Sequence, residues 1–171
     1  MKENNITVLG IGNILMRDEG FGVHLINHLN EHYTMPPGIS LLDGGTSGIY
    51  LAPIVQDCRR LLVVDVMAME GKPGEIHRFK GADLKGAGLQ LSMSPHQVGL
   101  LEILDICRLH DQVPEEVEFI GVIPGAVELG LELSPALQSR IEPVAELVLK
   151  QIEEWTNARV ISGPGVAVSA P

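Results

Sequence analysis

The apolar run RLLVVDVM, at Arg60–Met67, restricts the possible folds of this chain more than any other sequence feature. Its apolar residues do not alternate with polar ones, and this predicts a β-strand that is buried on both faces. Such strands occur in parallel sheets covered by helices on both sides. The run contains one acid, Asp65. A buried carboxylate is costly unless it is paired, hydrogen-bonded or bound to a cation, so Asp65 is a candidate functional residue.

The rest of the chain contains further strand and helix patterns that fit such a sheet. Three more segments are predicted to be strands, the first of them buried, and a segment after a turn predicts an outer edge strand that could be antiparallel: Thr7–Ile11, Ile39–Asp43, Val117–Pro124 and Glu75–Phe79. Patterns typical of helices separate them: Gly20–Tyr33, Ile49–Gln56, Ser94–His110 and Ser134–Trp155. This alternation predicts a three-layer α/β/α sandwich around a twisted, mostly parallel sheet of about five strands, with one antiparallel edge strand.

The length and the composition of the C-terminal residues predict the domain organisation. The 171 residues are enough for one domain with a substantial core. We expect a single α/β domain at residues 1–157. Residues 158–171 are rich in Gly, Pro, Ser and Ala, and we expect them to form a flexible C-terminal tail.

The charge balance argues against two classes of partner. The formal net charge is −10, and the sequence has no run rich in Lys and Arg. Because proteins bind nucleic acids and anionic membranes through basic patches, neither partner is expected. No signal peptide or membrane span is evident. The two cysteines, Cys58 and Cys107, are far apart and suit reduced thiols. We therefore expect a cytoplasmic protein.

A glycine-containing loop, VLGIGNILMRDEGFG, follows the first predicted strand. Its Gly10-x-Gly12 start is typical of a dinucleotide-binding loop, in which a pyrophosphate lies at a helix N-terminus. The third glycine of that motif is replaced by Leu15, however, and Asp18 and Glu19 lie where the phosphate charge would be. A nucleotide-binding domain is therefore disfavoured, and the two acids favour a cation.

Three residues near the carboxyl ends of strands could hold that cation: Glu19, Asp65 and His96. The segment Ser94–Gln97, SPHQ, predicts a helix start with an N-cap, a proline at the first position and a capping box. His96 would lie on the first turn, where the helix dipole favours the neutral imidazole that a metal requires. Two carboxylates and an imidazole suit nickel or zinc, with coordination positions left open.

Each of these residues also has an ordinary structural interpretation. Glu19 could complement a helix dipole, Asp65 could cap a loop, and His96 could be a structural histidine. A second set of histidines, spaced one helical turn apart, predicts a solvent-exposed helix face rather than another metal site: His24, His28 and His32.

Five motifs in order resemble those of the hydrogenase maturation endopeptidases: GIGNILMRDEGFG, DGGT, VVDV, SPHQ and GVIP. The resemblance extends from Thr7 to the closing helix, and the SPHQ and GVIP forms are similar to the branch that processes hydrogenase-2-type enzymes. It implies a cytoplasmic protease that removes the C-terminal extension from the large-subunit precursor of nickel–iron hydrogenase once nickel is in place.

The resemblance also implies roles for particular residues. The metal-binding and catalytic residues would be Glu19, Asp65 and His96, and the substrate-recognition loop would be Asp43, Gly44, Gly45 and Thr46. No obligate cofactor is expected, since the nickel belongs to the precursor, although zinc or cadmium could occupy the same site. The alternative is a non-enzymatic nickel-binding assembly factor for hydrogenase that uses the same three ligands.

Overall fold

The computed structural model describes residues 5–83 and 95–163, without the side chains of residues 95–98. The strands are β1 (Ile6–Ile11), β2 (Tyr33–Thr34), β3 (Ile39–Gly45), β4 (Arg60–Val66), β5 (Ile76–Lys80), β6 (Glu116–Val122) and β7 (Ile161–Ser162). The helices are α1 (Phe21–His32), α2 (Ala52–Asp57), α3 (Pro95–Leu109), α4 (Pro135–Gln138) and α5 (Ile141–Thr156), with 3-10 turns at Arg17–Gly20 and Gly48–Leu51. None of the helices in these ranges is long and apolar enough to cross a membrane.

The main sheet has five strands in the order β3-β1-β4-β6-β5. The first four are parallel, and β5 pairs antiparallel with β6 at one edge. The predicted mostly parallel sheet with one antiparallel edge strand is therefore confirmed. The run that contains Asp65 forms β4, the central strand of this sheet.

Helices cover both faces of the sheet, because alternate residues of the buried strands point to opposite sides. One face packs against α1 and α5 through Val8, Leu62, Val64, Val66, Ile120 and Val122. The other packs against α2 and α3 through Leu9, Ile11, Leu61, Val63 and Phe119. These two apolar clusters give the three predicted layers.

Close contact between α1 and the sheet positions the start of that helix. A Cβ on Gly10 would lie 2.2 Å from the carbonyl oxygen of Gly22, and a Cβ on Gly22 would lie 2.3 Å from that of Val64. Only glycine permits this approach. The turn at Arg17–Gly20, which precedes α1, consequently lies at the carboxyl ends of β1 and β4.

The closing helix differs from its prediction, which was one helix over Ser134–Trp155. The structure has α4 and α5 instead, separated at Ser139 and Arg140. The physical reason is Pro143, which has no N–H to donate to Ser139 and would clash with that carbonyl in a continuous helix. In the first turn of α5 the missing donor is tolerated.

The first residues of the predicted tail form a short pairing. Ile161–Ser162 pairs antiparallel with Tyr33–Thr34, and the N–H of Gly163 donates to the His32 carbonyl at 2.7 Å. Residues 164–171 lie outside the described ranges, so a flexible tail over residues 158–171 stays a prediction.

Candidate functional site

Three segments converge on Gly12, immediately after β1. Its N–H donates to the carbonyl oxygen of Gly45 at 2.9 Å. A Cβ at Gly12 would lie 1.8 Å from the carbonyl oxygen of Glu19 and 3.4 Å from Oδ1 of Asp65. The φ of Gly12 is +136°, which side chains rarely adopt. Glycine at this position therefore lets the end of β3, the turn before α1 and the end of β4 meet.

Asp65 lies one residue before the end of β4 and is only 1% exposed. Its Oδ1 accepts a hydrogen bond from the Val66 N–H at 2.7 Å. Because Leu61 and Val63 face α2 and α3, the alternation of the strand directs Asp65 to that same face. This places a buried carboxylate at the carboxyl end of a central parallel strand, where open α/β sheets bind their ligands.

Glu19 lies in the 3-10 turn at Arg17–Gly20 and is partly exposed. Its N–H donates to the Met16 carbonyl at 3.2 Å, which helps to close the turn. Among the residues that the structure describes, the Glu19 side chain makes no hydrogen bond and no ion pair. The carboxylate is therefore available to a ligand.

His96 is the second residue of α3, and its side chain is not described. Pro95 begins the helix, as predicted, whereas the predicted N-cap Ser94 lies outside the described residues. Since α3 ends just before the amino end of β6, its first turn is directed toward the carboxyl ends of the strands. Excluding the undescribed His96 side chain, no three described His, Cys, Asp or Glu residues could hold a metal ion. The ligand set of Glu19, Asp65 and His96 stays a prediction.

The predicted substrate-recognition loop, DGGT, begins within β3: Asp43–Gly45 are the last three residues of that strand, and its pairing with β1 is irregular at Gly44. Asp43 is exposed, and its Oδ1 accepts a hydrogen bond from the Gly45 N–H at 2.8 Å, the geometry of an Asx turn. Gly45 has a φ of +45°, and the Ser47 N–H donates to the Gly44 carbonyl at 3.0 Å. Thr46 is exposed. Asp43 thus shapes the loop, while the contact of these four residues with substrate stays a prediction.

Asp18 has a structural role that the sequence did not reveal. It is fully buried, and it accepts hydrogen bonds from the N–H groups of Gly125, Ala126 and Ser134 at 2.8, 2.7 and 2.7 Å. The Ser134 hydroxyl donates a fourth at 2.8 Å. Burial by itself raises the pKa of Asp18, but the donors of Ser134, Ala126 and Gly125 outweigh it and hold that pKa below its ordinary value. Asp18 therefore anchors the loop after β6.

The histidine stripe on α1 differs from the predicted solvent-exposed face. His24 and His28 are half-buried, and His28 Nε2 lies 2.9 Å from Glu142 Oε2 on α5. The Tyr33 hydroxyl donates to Glu142 Oε1 at 3.0 Å. The prediction of an exposed face is wrong for His24 and His28, and for His28 the reason is that α5 packs beside α1, whereas His32 is exposed as predicted.

Comparison with known proteins identifies the family. The family model for hydrogenase maturation protease matches residues 23–151. The hydrogenase 2 maturation protease of Escherichia coli (strain K12) is 33% identical over 150 residues, covering 87% of this chain and 91% of that protein. The hydrogenase expression/formation protein HoxM of Azotobacter vinelandii is 37% identical over 163 residues, covering 90% of this chain and 75% of that protein.

Solved structures agree with the sequence relatives. The hydrogenase maturating endopeptidase HybD from Escherichia coli has a TM-score of 0.85 and 32% identity, covering 92% of this chain and 97% of that chain. The [NiFe] hydrogenase maturation protease HybD from Thermococcus kodakarensis has a TM-score of 0.69 and 26% identity, covering 86% and 99%. Because the matched family and these structures are proteases, the alternative of a non-enzymatic assembly factor is not favoured. The chain belongs to the hydrogenase maturation proteases, and it is a peptidase.

Proposed function

We propose that this peptidase removes the C-terminal extension of the nickel-loaded large-subunit precursor of a nickel–iron hydrogenase in the cytoplasm. The observation that carries the proposal is the convergence at Gly12 of the Glu19 turn, the Asp65 carboxylate and the Gly45 loop. The candidate metal ligand Asp65 and the candidate substrate loop thereby both lie next to Gly12.

The nickel of the precursor is the proposed target of Glu19, Asp65 and His96. Two carboxylates and one imidazole suit a borderline divalent metal and leave coordination positions for ligands from the precursor. The burial of Asp65, the lack of a side-chain partner for Glu19 among the described residues, and the start of α3 at Pro95 support this assignment. The isolated protein has no obligate cofactor in this proposal, and zinc or cadmium binds weakly at the same position.

Recognition of the metal makes cleavage depend on correct assembly of the precursor. A precursor without nickel lacks the metal–ligand bonds and binds more weakly, which is specificity through a difference of affinities. The Asp43–Thr46 loop is proposed to position the chain that is cut. The exposure of Asp43 and Thr46, and the hydrogen bond from Gly12 to Gly45, support that role.

The test uses purified precursor prepared with and without nickel. The protein is added to each sample, and the mass of the large subunit is measured. We expect loss of the C-terminal extension only from the nickel-loaded precursor. Equal cleavage of both samples would contradict nickel recognition, and binding without any change in mass would favour the assembly factor. Metal that is retained after chelation, and required for cleavage, would contradict the absence of an obligate cofactor.

A further inference from the structure

Two loops beside the candidate site carry a group of apolar side chains that are exposed to solvent. One loop precedes the Glu19 turn, and the other follows β6. Their exposed fractions are 44% for Ile14, 57% for Leu15, 48% for Val127, 83% for Leu129 and 63% for Leu131. We call these five residues the apolar platform.

Backbone hydrogen bonds join the two loops. The N–H of Arg17 donates to the carbonyl oxygen of Gly130 at 2.9 Å, and the N–H of Gly130 donates to that of Leu15 at 2.9 Å. Met16 and Gly130 thereby form an isolated parallel bridge. In a parallel pairing, the residues that precede the bridged pair are neighbours. The backbone at Leu15 consequently lies next to that at Leu129, and the two loops that carry the platform are joined.

Side-chain contacts hold the platform in place. Arg17 bonds Glu128 Oε1 through Nη1 at 2.7 Å and the Glu132 carbonyl through Nε at 3.2 Å. Its φ of +47° is unfavourable for a residue with a side chain. Asp18 also anchors the loop after β6, through its four hydrogen bonds from the buried side of that loop. The strained Arg17 and the buried Asp18 therefore hold in place apolar side chains whose exposure to water is unfavourable.

The position of the platform indicates what covers it. Leu15 is four residues before Glu19, and the second loop leaves β6, where Gly121 lies beside Asp65. A protein substrate that reaches Glu19 and Asp65 must also contact the surface next to them. A second copy of this chain on the platform would cover the site instead. We propose that the platform docks an apolar patch on the folded body of the hydrogenase large-subunit precursor, which rests on the function proposed above.

The experiment compares two leucines that are almost equally exposed. Leu129 is 83% exposed on the platform, and Leu109 is 85% exposed at the end of α3, near the amino end of β6. The Kd for nickel-loaded precursor, and KM and kcat for its cleavage, are measured for Leu129→Ser and Leu109→Ser. Removing a buried leucine contact should raise Kd and KM about tenfold for Leu129→Ser, with kcat within about twofold of wild type. Leu109→Ser should match wild type in all three, and neither variant should change Tm.

The outcomes separate this proposal from the proposed function. If wild type cleaves the precursor and Leu129→Ser binds as tightly as Leu109→Ser, the docking surface is overturned and the proposed function stands. If wild type neither binds nor cleaves the precursor, both are overturned. A wild-type dimer that Leu129→Ser converts to monomer would identify a second copy as the occupant and overturn the docking of the precursor.

Discussion

The two ends of the central sheet use charged side chains in different ways. Near the amino ends of β4 and β6, arginines pair with glutamates at 2.7–2.8 Å: Arg59–Glu115, Arg60–Glu116 and Arg78–Glu118. At the carboxyl ends, Asp18 bonds only uncharged N–H and O–H groups. The neighbouring Glu19 has no side-chain partner among the described residues.

This difference separates carboxylates that are neutralised by an arginine from carboxylates that keep their charge without an ionic partner among the described residues. An arginine–glutamate pair neutralises itself, and exposed pairs contribute at most about 1 kcal/mol each. Asp18 instead stays ionised, because backbone donors stabilise its charge. Asp18 thus keeps its negative charge while it anchors the loop after β6, and the neighbouring Glu19 is the carboxylate that is proposed to bind a cation.

The largest expected effect is a loss of precursor cleavage when Asp65 is replaced. Glu118, a carboxylate on the adjacent strand that lies toward the other end of the sheet, serves as the control. Asp65→Asn on β4 should lower the rate of precursor cleavage by at least about 100-fold, because a proposed metal ligand is lost. Glu118→Gln on β6 removes a carboxylate that pairs with Arg78 and should leave that rate within about twofold of wild type. Cleavage is followed by the mass of the large subunit. Equal rates for the two variants would show that the ends do not differ in chemistry.

A comparable loss of cleavage is expected for His96→Ala, with little change in stability. The free energy of unfolding should change by no more than about 0.5 kcal/mol, as for a surface substitution, whereas cleavage should fall about 100-fold because a proposed imidazole ligand is lost. His96→Gln keeps polarity and bulk but is a poorer ligand. His28→Ala, on α1, is the matched control and should cleave normally. Normal cleavage by His96→Ala would remove His96 from the site, and unfolding of that variant would favour a structural histidine.

The next effect is a loss of unfolding free energy when Asp18, near the carboxyl ends of the parallel strands, is replaced. Asp18→Asn should lower the free energy of unfolding by about 3 kcal/mol, because an amide cannot accept all four hydrogen bonds and buried donors lose their charged acceptor. Glu115→Gln breaks the exposed pair with Arg59 and should cost less than about 1 kcal/mol. Urea unfolding of both variants and wild type measures the difference. A smaller loss for Asp18→Asn than for Glu115→Gln would reverse the comparison.

The smallest effect is a pH dependence of the difference in unfolding free energy between wild type and Asp18→Asn. The pKa of Asp18 is lowered in the folded state, so its contribution is complete above the ordinary aspartate pKa of about 3.9 and is lost as pH falls through the lower folded value. The gap in unfolding free energy between wild type and Asp18→Asn should be constant from about pH 5 to 7 and should narrow below about pH 4. Unfolding curves across this range provide the measurement. A gap that widens on acidification would contradict an ionised Asp18.

Local patterns in the sequence were sufficient to predict the main elements of the fold. The continuous apolar run around Asp65 predicted the central strand, since burial on both faces removes polar alternation. Pro95 predicted the start of α3, because a proline at the first position loses no hydrogen bond. The break at Pro143 rests on the same local chemistry, although the apolar stripe across it predicted one helix.

The roles of neighbouring acids were decided only by the tertiary structure. Asp18 and Glu19 are adjacent and chemically alike, yet Asp18 is buried against groups 107 to 116 residues away while Glu19 remains available. The half-burial of His28 likewise depends on Glu142 of α5. Periodicity and backbone preference are properties of nearby residues, so the sequence determined them directly. The partner of a side chain depends on which distant segment packs beside it. For Asp18 the tertiary structure decided this, because the sheet places the loops after β1 and β6 side by side.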